Sequence, residues 1–342
     1  MKLVSFFSGA GGLDLGFKKA GFNTVWANEY DKDIWETFEK NHTHTVLDRR
    51  SITDITSDEV PDCDGIIGGP PCQSWSAGGA LRGIDDKRGK LFYDFIRILK
   101  DKQPLFFLAE NVAGMLLERH KFSMENFKNL FGECGYELSV TPVNASDYGV
   151  PQDRKRIFFV GYRKDLGMKF KFPEPTTKNA SEKKPLHQTI GDLKDTAIPA
   201  IKKDFTNGSD CLVPNHEYMT GDFSSIYMSR NRVRGWDDVS FTIQAGGRHA
   251  PLHPQAPKMP FVATNVREFA KGSEKLYRRL TVRECARVQT FPDDFILHYK
   301  KLTAGYKMIG NAVPVDLAAV IATQIAADLK AVTERKKDTK VA

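Results

Sequence analysis

The stretch Leu3–Phe17, LVSFFSGAGGLDLGF, joins an apolar run to a glycine-rich turn and then to a helical pattern. Five apolar or small residues suit a buried strand. The glycines let the chain turn sharply, and the pattern that follows continues as a helix through Lys19. The same order recurs outward from there. Thr24–Ala27 reads as a strand ending at Asn28 and Glu29, and Ile34–Asn41 as a helix. Gly65–Ile67 reads as a strand ending in GGPPC, and LFYDFIRILK, Leu91–Lys100, as an amphipathic helix. Leu105–Ala109 is a strand ending at Glu110 and Asn111, and Ile157–Gly161 is one more. Strand, loop and helix in repetition predict an α/β fold with a doubly wound, mostly parallel sheet. Ligands in such sheets bind at the carboxyl ends of the strands, where SGAGG, GGPPC and ENV all fall.

The rest of the chain bounds this reading. It has 342 residues, 41% hydrophobic and 27% charged, which excludes a disordered or fibrous protein. No apolar run approaches the ~18 residues of a membrane helix. MKLVSFFSGAGG reads as a first strand and not as a signal peptide, so a cytoplasmic protein is expected. The net charge of +7 permits a polyanionic partner without requiring one. Five cysteines without a CxxC spacing suggest neither a disulfide frame nor a metal site. After about Asp165 the periodicity fades, and Pro173–Gly208 is rich in Lys, Pro, Thr and Asn. Regular structure is expected again from Leu276, with a final helix from Asp316 to about Val332. The expected division is a catalytic and cofactor-binding domain at 1–164, a smaller irregular lobe at 165–275, and a return segment at 276–342.

Four places have residues suited to chemistry. The SGAGG turn lacks the GxGxxG dinucleotide fingerprint, and a structural turn is the competing reading. Glu29 ends the second strand, where a carboxylate can hold ribose hydroxyls or simply be solvated. Cys72 follows two glycines and two prolines that fix the backbone, a setting for attack by a thiol and not for packing; Cys63, Cys134, Cys211 and Cys285 read as small hydrophobes. Glu110 ends a very apolar strand, where burial can raise a carboxyl pKa. Arg154 and Arg156 alternate into a strand, so both can point one way, towards an anion or into salt bridges.

These blocks together resemble a C5-cytosine DNA methyltransferase of the bacterial restriction-modification type. FSGAGG resembles the family's cofactor loop, GGPPCQSWS its nucleophile block, ENV its glutamate block and QDRKR its arginine block. RRLTVRECARVQTFPDDF, Arg278–Phe295, resembles the late structural block, and YKMIGNAVPV, Tyr306–Val315, the final cofactor block. The match covers nearly the full length in the family's order. It implies the S-adenosylmethionine-dependent methyltransferase fold, with S-adenosylhomocysteine as product. Cys72 would be the nucleophile, Glu110 the acid at cytosine N3, and Arg154 or Arg156 the partner of O2. The cofactor would lie against Phe7, Gly9, Gly11, Gly12, Leu13, Glu29, Tyr30, Pro70, Leu91, Asn311 and Val313. Two departures stand out. Ser51, before Ile52, occupies the position where relatives commonly place an Asp against the cofactor adenine. Thr290 stands where they usually have Gly.

The mechanism that the resemblance implies is addition of a thiolate to C6, which makes C5 nucleophilic. A stacked base cannot be reached, so the target cytosine must flip out of the duplex. The lobe is then expected to read sequence, with Arg230, Asn231, Arg232, Arg234, Arg248 and His249 as candidates for base edges or phosphates. MSRNRVR and LHPQAP resemble the corresponding stretches of GGCC-modifying enzymes. The expected partners are double-stranded DNA and, functionally but not physically, a cognate restriction endonuclease; the enzyme is expected to act as a monomer. A tRNA cytosine-5 methyltransferase on the same fold is the alternative, and the large basic lobe favours duplex DNA. A nicotinamide oxidoreductase explains the glycine turn but neither GGPPCQSW nor GNAVP.

Overall fold

The structure is a computed structural model that describes residues 1–71, 87–118 and 121–341. Seven strands form one sheet: β1 (Lys2–Phe6), β2 (Asn23–Asn28), β3 (Val46–Asp48), β4 (Gly65–Gly68), β5 (Phe106–Val112), β6 (Tyr136–Asn144) and β7 (Lys155–Arg163). Their order is β3-β2-β1-β4-β5-β7-β6. The first five run parallel, and β7 is inserted antiparallel to both β5 and β6. The sheet is therefore mixed at one end and parallel elsewhere.

The periodicity does not reveal the two edge strands, the three-residue β3 and the longer β6. YELSVTPVN of β6 mixes polar and apolar residues and has Pro142 inside. A proline lacks the N–H for a second ladder, and it is tolerated here because β6 is an edge strand. The central strands read clearly because both their faces are covered, which demands continuous apolar runs. GIIG of β4 is buried throughout.

Helices α1 (Gly12–Lys19), α2 (Lys32–Asn41), α3 (Lys87–Lys102), α4 (Lys121–Glu133), α5 (Leu186–Ile190), α6 (Val282–Val288), α7 (Leu302–Asn311) and α8 (Val315–Val341) complete the regular structure. One face of the sheet is covered by α1 and α8, where Leu13 and Phe17 meet Leu317, Ile321 and Ile325 over Leu108, Phe158 and Val160. The other is covered by α3 and α4, where Phe92, Phe95, Phe127 and Phe131 pack on Phe107 and Phe159. α1 and α8 approach so closely that a Cβ at Gly16 would stand 2.4 Å from the Ala318 Cβ.

The C-terminal stretch corrects one expectation. Leu302–Arg335 has a window of mean hydropathy 1.5, apolar and long enough for a membrane span by composition, but 56% of that window is buried inside the fold. Its apolarity serves the core. Between residues 165 and 275 the described elements are short: α5, two-residue pairings of Ile198–Pro199 with Glu217–Tyr218, and a hairpin of Phe261–Ala263 with Val266–Arg267. α5, Met219, Ile243 and Ala250 from this stretch share one core cluster with α6 and α7.

Candidate active site

The strand order reverses at β1, since β2 and β3 lie to one side of it and β4 and β5 to the other. Loops leaving β1 and β4 consequently diverge and open a crevice. A cleft of about 570 Å³ lies there, within the ~300–1,000 Å³ of small-ligand sites. Its walls come from the β1 loop (Phe7, Gly9, Gly12, Leu13), the end of β2 (Glu29), the β4 loop (Gly69, Pro70, Pro71), β5 (Glu110, Asn111) and the end of α7 (Asn311, Val313).

The β1 loop turns within five residues by taking positive φ at Phe7 (53°), Gly9 (56°) and Gly11 (85°). A Cβ at Gly11 would collide with the His42 ring at 2.1 Å, and one at Gly12 with the Val313 carbonyl oxygen at 2.5 Å. Glycine is therefore required on both counts, conformation and close approach. The Glu29 carboxylate is clamped by two backbone N–H groups, from Gly9 (2.9 Å) and Asp31 (2.8 Å). Burial raises its pKa against those hydrogen bonds. Each carboxylate oxygen has two acceptor directions, so capacity remains for ligand hydroxyls.

Glu110 and Arg156 meet by strand geometry. Glu110 pairs directly with Phe158 across β5 and β7, and Arg156 lies two residues back on the same face. Its Nε donates to Glu110 Oε1 at 2.8 Å, and the two side chains are 12–14% exposed. Burial drives the Glu110 pKa up, and it outweighs the pull of Arg156 and Arg154 in the opposite direction. The β4 loop passes beside this carboxyl, because a Cβ at Gly69 would be 3.4 Å from Glu110 Oε2. Asn111 donates from Nδ2 to the Pro70 carbonyl at 2.9 Å and so anchors the chain just before Cys72. Cys72 itself lies outside the described residues.

Arg154 and Arg156 both line the cleft, as the sequence allows, but they are held by different partners. Arg154 precedes β7, is 1% exposed, and donates to the carbonyls of Ile243 (3.0 Å), Gly310 (2.9 Å) and Ala312 (2.9 Å). Both Nη atoms are thus occupied by backbone, while its buried Nε has no hydrogen-bond partner. Several cofactor candidates sit apart from the cleft walls. The Ile52 side chain is buried in the core, and the Ser51 hydroxyl accepts from Thr53 and begins the turn that Ile52 continues. Asp48 is paired with Arg50. Leu91 packs on the α3–α4 cluster, Tyr30 is 72% exposed, and Gly11 lies against the His42 ring.

The cleft also has residues that the motifs did not single out. Asp31 and Lys307 form an ion pair at its rim. Lys307 is one turn before Asn311 on α7, so helical spacing could have found it. Met115, Met124 and Met308 line the apolar wall; Met308 falls within the final cofactor block, whereas nothing in their local sequence marks Met115 and Met124.

In the lobe, Arg230 and Arg248 are exposed and His249 is half-buried. Arg232 is corrected to an internal residue. It lies over the Tyr227 ring at 4.7 Å and donates to the carbonyls of Tyr227 (2.8 Å) and Ile226 (3.0 Å). Asn231 closes a turn, with its amide bonded to Val233 O (2.7 Å) and Met259 N (3.0 Å). Arg234 pairs with Asp153 at 2.9 Å and covers Phe241. Arg232 and Asn231 are engaged because the surrounding backbone lacks secondary structure to satisfy it.

Comparison with known proteins adds the chemistry. The family model of the C-5 cytosine-specific DNA methylases matches residues 1–327. The chain is 56% identical to the type II methyltransferase M.FnuDI of Fusobacterium nucleatum over 339 residues, covering 99% of this chain and 98% of that one. It is 57% identical to M.NgoPII of Neisseria gonorrhoeae, covering 95% of each. Among solved structures, a DNA modification methyltransferase encoded within an E. coli prophage superimposes with a TM-score of 0.72 at 25% identity, covering 96% of this chain and 99% of that one. A cleft at the strand-order reversal, a clamped Glu29 and a buried Glu110 beside the GGPPC loop fit that family's use of S-adenosylmethionine as methyl donor to cytosine C5. The chain thus belongs to the C-5 cytosine-specific DNA methylases and is a DNA (cytosine-5-)-methyltransferase of the type II restriction-modification kind.

Proposed function

We propose that Cys72 is the nucleophile, Glu110 the acid at N3, and Arg156 the group that meets O2 of a flipped cytosine in duplex DNA. The observation that supports this is the Glu110–Arg156 pair at the inner end of the cleft, beside the loop that leads to Cys72. As the Cys72 thiolate adds to C6, the ring electrons move towards N3 and O2. A carboxyl whose pKa burial has raised is suited to present a proton at N3, and the Arg156 guanidinium is suited to the charge at O2. Glu29 would accept the hydroxyls of a bound cofactor ribose, the loop Phe7–Leu13 would pass close to the cofactor, and Pro70, Asn311 and Val313 would enclose it. When bound, S-adenosylmethionine supplies an electrophilic methyl group. The departing C5 proton and elimination of Cys72 restore the aromatic ring.

Residues 165–275 would form the lobe that reads the duplex, with Arg248 as the leading base-reading residue and Arg230 as a second candidate. The proposed site is GGCC, on the resemblance of MSRNRVR and LHPQAP. The enzyme would act as a monomer in the cytoplasm and protect DNA from a cognate endonuclease without binding it. Expression in a host followed by bisulfite sequencing tests this reading. Modified cytosines confined to GGCC are expected, and another motif would replace that assignment. Cys72→Ser should abolish methylation while duplex binding persists, because a hydroxyl is far less ionised than a thiol. Methylation at the normal rate by that variant would remove Cys72 from its role.

A further inference from the structure

Helix α7 is used on two sides. Lys307, Met308, Gly310 and Asn311 face the cofactor cleft. Tyr306 and Gly310, one turn apart, touch the chain that leads to Arg248. A Cβ at Gly310 would stand 2.3 Å from both the Ala245 nitrogen and the Gln244 carbonyl carbon. A Cβ at Gly247 would stand 2.5 Å from Cδ2 of Tyr306. The backbone of residues 244–247 therefore lies directly on α7, with no side chain of Gly310 or Gly247 between.

Hydrogen bonds tie the same two segments together. Arg154 donates to Ile243 O on one side and to Gly310 O and Ala312 O on the other, the two carbonyls that flank Asn311. Gln152 accepts the Ile243 N–H (2.8 Å) and donates to Gln289 Oε1 (2.8 Å). Gln289 donates in turn to Ile309 O (2.8 Å) and Ala312 O (3.0 Å). Both backbone groups of Ile243 and three carbonyls around Asn311 are thus held by three side chains, each at most 1% exposed. A buried, connected network of this kind resists independent movement of its ends. The exposed Arg248 is five residues from Ile243, so a shift of that segment on DNA pulls on the Asn311 turn.

We propose that Arg154 is a positioning residue that couples duplex binding at Gln244–His249 to cofactor binding at Asn311. Although it also lines the cleft, the coupling runs through the backbone carbonyls its two Nη atoms hold. By linkage, a cognate duplex tightens cofactor binding, and the cofactor tightens duplex binding by the same factor. The proposal rests on the reading above, in which Arg248 contacts DNA and Asn311 the cofactor.

The experiment is titration of S-adenosylhomocysteine, which cannot react, onto the full-length protein. Dissociation constants are measured without DNA, with a GGCC duplex and with a duplex lacking that motif. In the wild type the GGCC duplex is expected to tighten binding by a factor on the order of 5–150, the usual range of coupling between sites. Arg154→Lys keeps the charge but loses the fork, and the factor should fall towards one. Gln152→Met, which leaves Arg154 in place, should lower it by a smaller amount and serves if the arginine variant does not fold. A purely structural Arg154 would change the separate dissociation constants but leave their ratio as in the wild type. An unchanged ratio in both variants, or a ratio of one in the wild type, overturns the coupling. Asn311→Ala and Arg248→Ala test the underlying reading separately. Unchanged S-adenosylhomocysteine affinity in the first, or unchanged site preference in the second, removes that reading and the coupling with it.

Discussion

The cleft and the lobe handle charge in opposite ways. At the cleft, Glu29 and Glu110 are held on the walls of an open crevice, and burial raises the pKa of both. Each keeps acceptor capacity towards the crevice beyond the partners it already has. In and around the lobe, guanidiniums are turned inward onto backbone. Arg279 donates to the carbonyls of Met219, Gly221 and Asp222, and Arg283 to those of Pro214, Pro292 and Phe295. Arg232 and Arg154 do the same. A sheet satisfies its own backbone, whereas an irregular chain needs donors from elsewhere, and an arginine fork satisfies two or three carbonyls at once. An arginine count in such a lobe therefore overstates its capacity to bind DNA.

The largest effect that would test this contrast is expected at the cleft. Glu110→Gln keeps the size of the side chain and a hydrogen-bond donor but cannot transfer a proton. Single-turnover methylation at saturating cofactor should slow on the order of 10²–10⁴-fold. A rate equal to the wild type would make Glu110 a structural partner of Arg156 and erase the difference between the regions.

Next come two arginines of opposite kind. Arg248→Ala should relax site choice by about 1–3 kcal/mol, the value of a bidentate contact to guanine, read from methylation of a library varied around the target cytosine. A uniform loss across all sequences would make it a phosphate contact. Arg283→Met should leave site choice intact and lower unfolding free energy by roughly 1–3 kcal/mol, since the buried Phe295 carbonyl loses its donor. Denaturant titration reads the second effect, and a change in site preference there would contradict the assignment to backbone support.

The regions should also respond to acid with opposite sign. Burial pushes the His253 pKa down from 6.5 to about 4. The unfolded chain then takes up that proton first, so stability is lost as pH falls from about 6.5 to about 4. Glu284, buried, is held below the usual range by the bidentate Arg278. Its contribution is present above that range and lost as pH falls through its lowered value. Glu110 is raised, so its contribution is present at low pH and lost as pH rises through its folded value. Urea midpoints across pH 4–7 should decline on the acid side, less steeply in His253→Gln. An equal decline in that variant would assign the acid sensitivity elsewhere.

The smallest expected change is at Thr290, whose φ of 59° strains a β-branched residue. Its hydroxyl accepts the Asp316 N–H at 2.9 Å in the first turn of α8. Thr290→Gly relieves the backbone and loses that acceptor, and the two nearly offset, within about 1 kcal/mol. Thermal melts would show it, and a loss of methylation would contradict its place outside the cleft lining.

What could be read directly from the chain follows from local demands. Central strands must be continuously apolar, glycine must occupy the β1 turn, and prolines must stiffen the path to Cys72; each leaves a signature within a few residues. The order of GGPPC, ENV, QDRKR and GNAVP then identified the family without coordinates. Tertiary structure alone decided the edge strands β3 and β6, the apolar methionine wall, the inward turn of Arg232 and the different hydrogen-bond partners of Arg154 and Arg156. Arg154 reaches Ile243 and Gly310, 89 and 156 residues away. Every peptide carbonyl is an equivalent acceptor, so no local pattern can say which one a guanidinium will find; only the packing of α7 against the chain before Arg248 selects it.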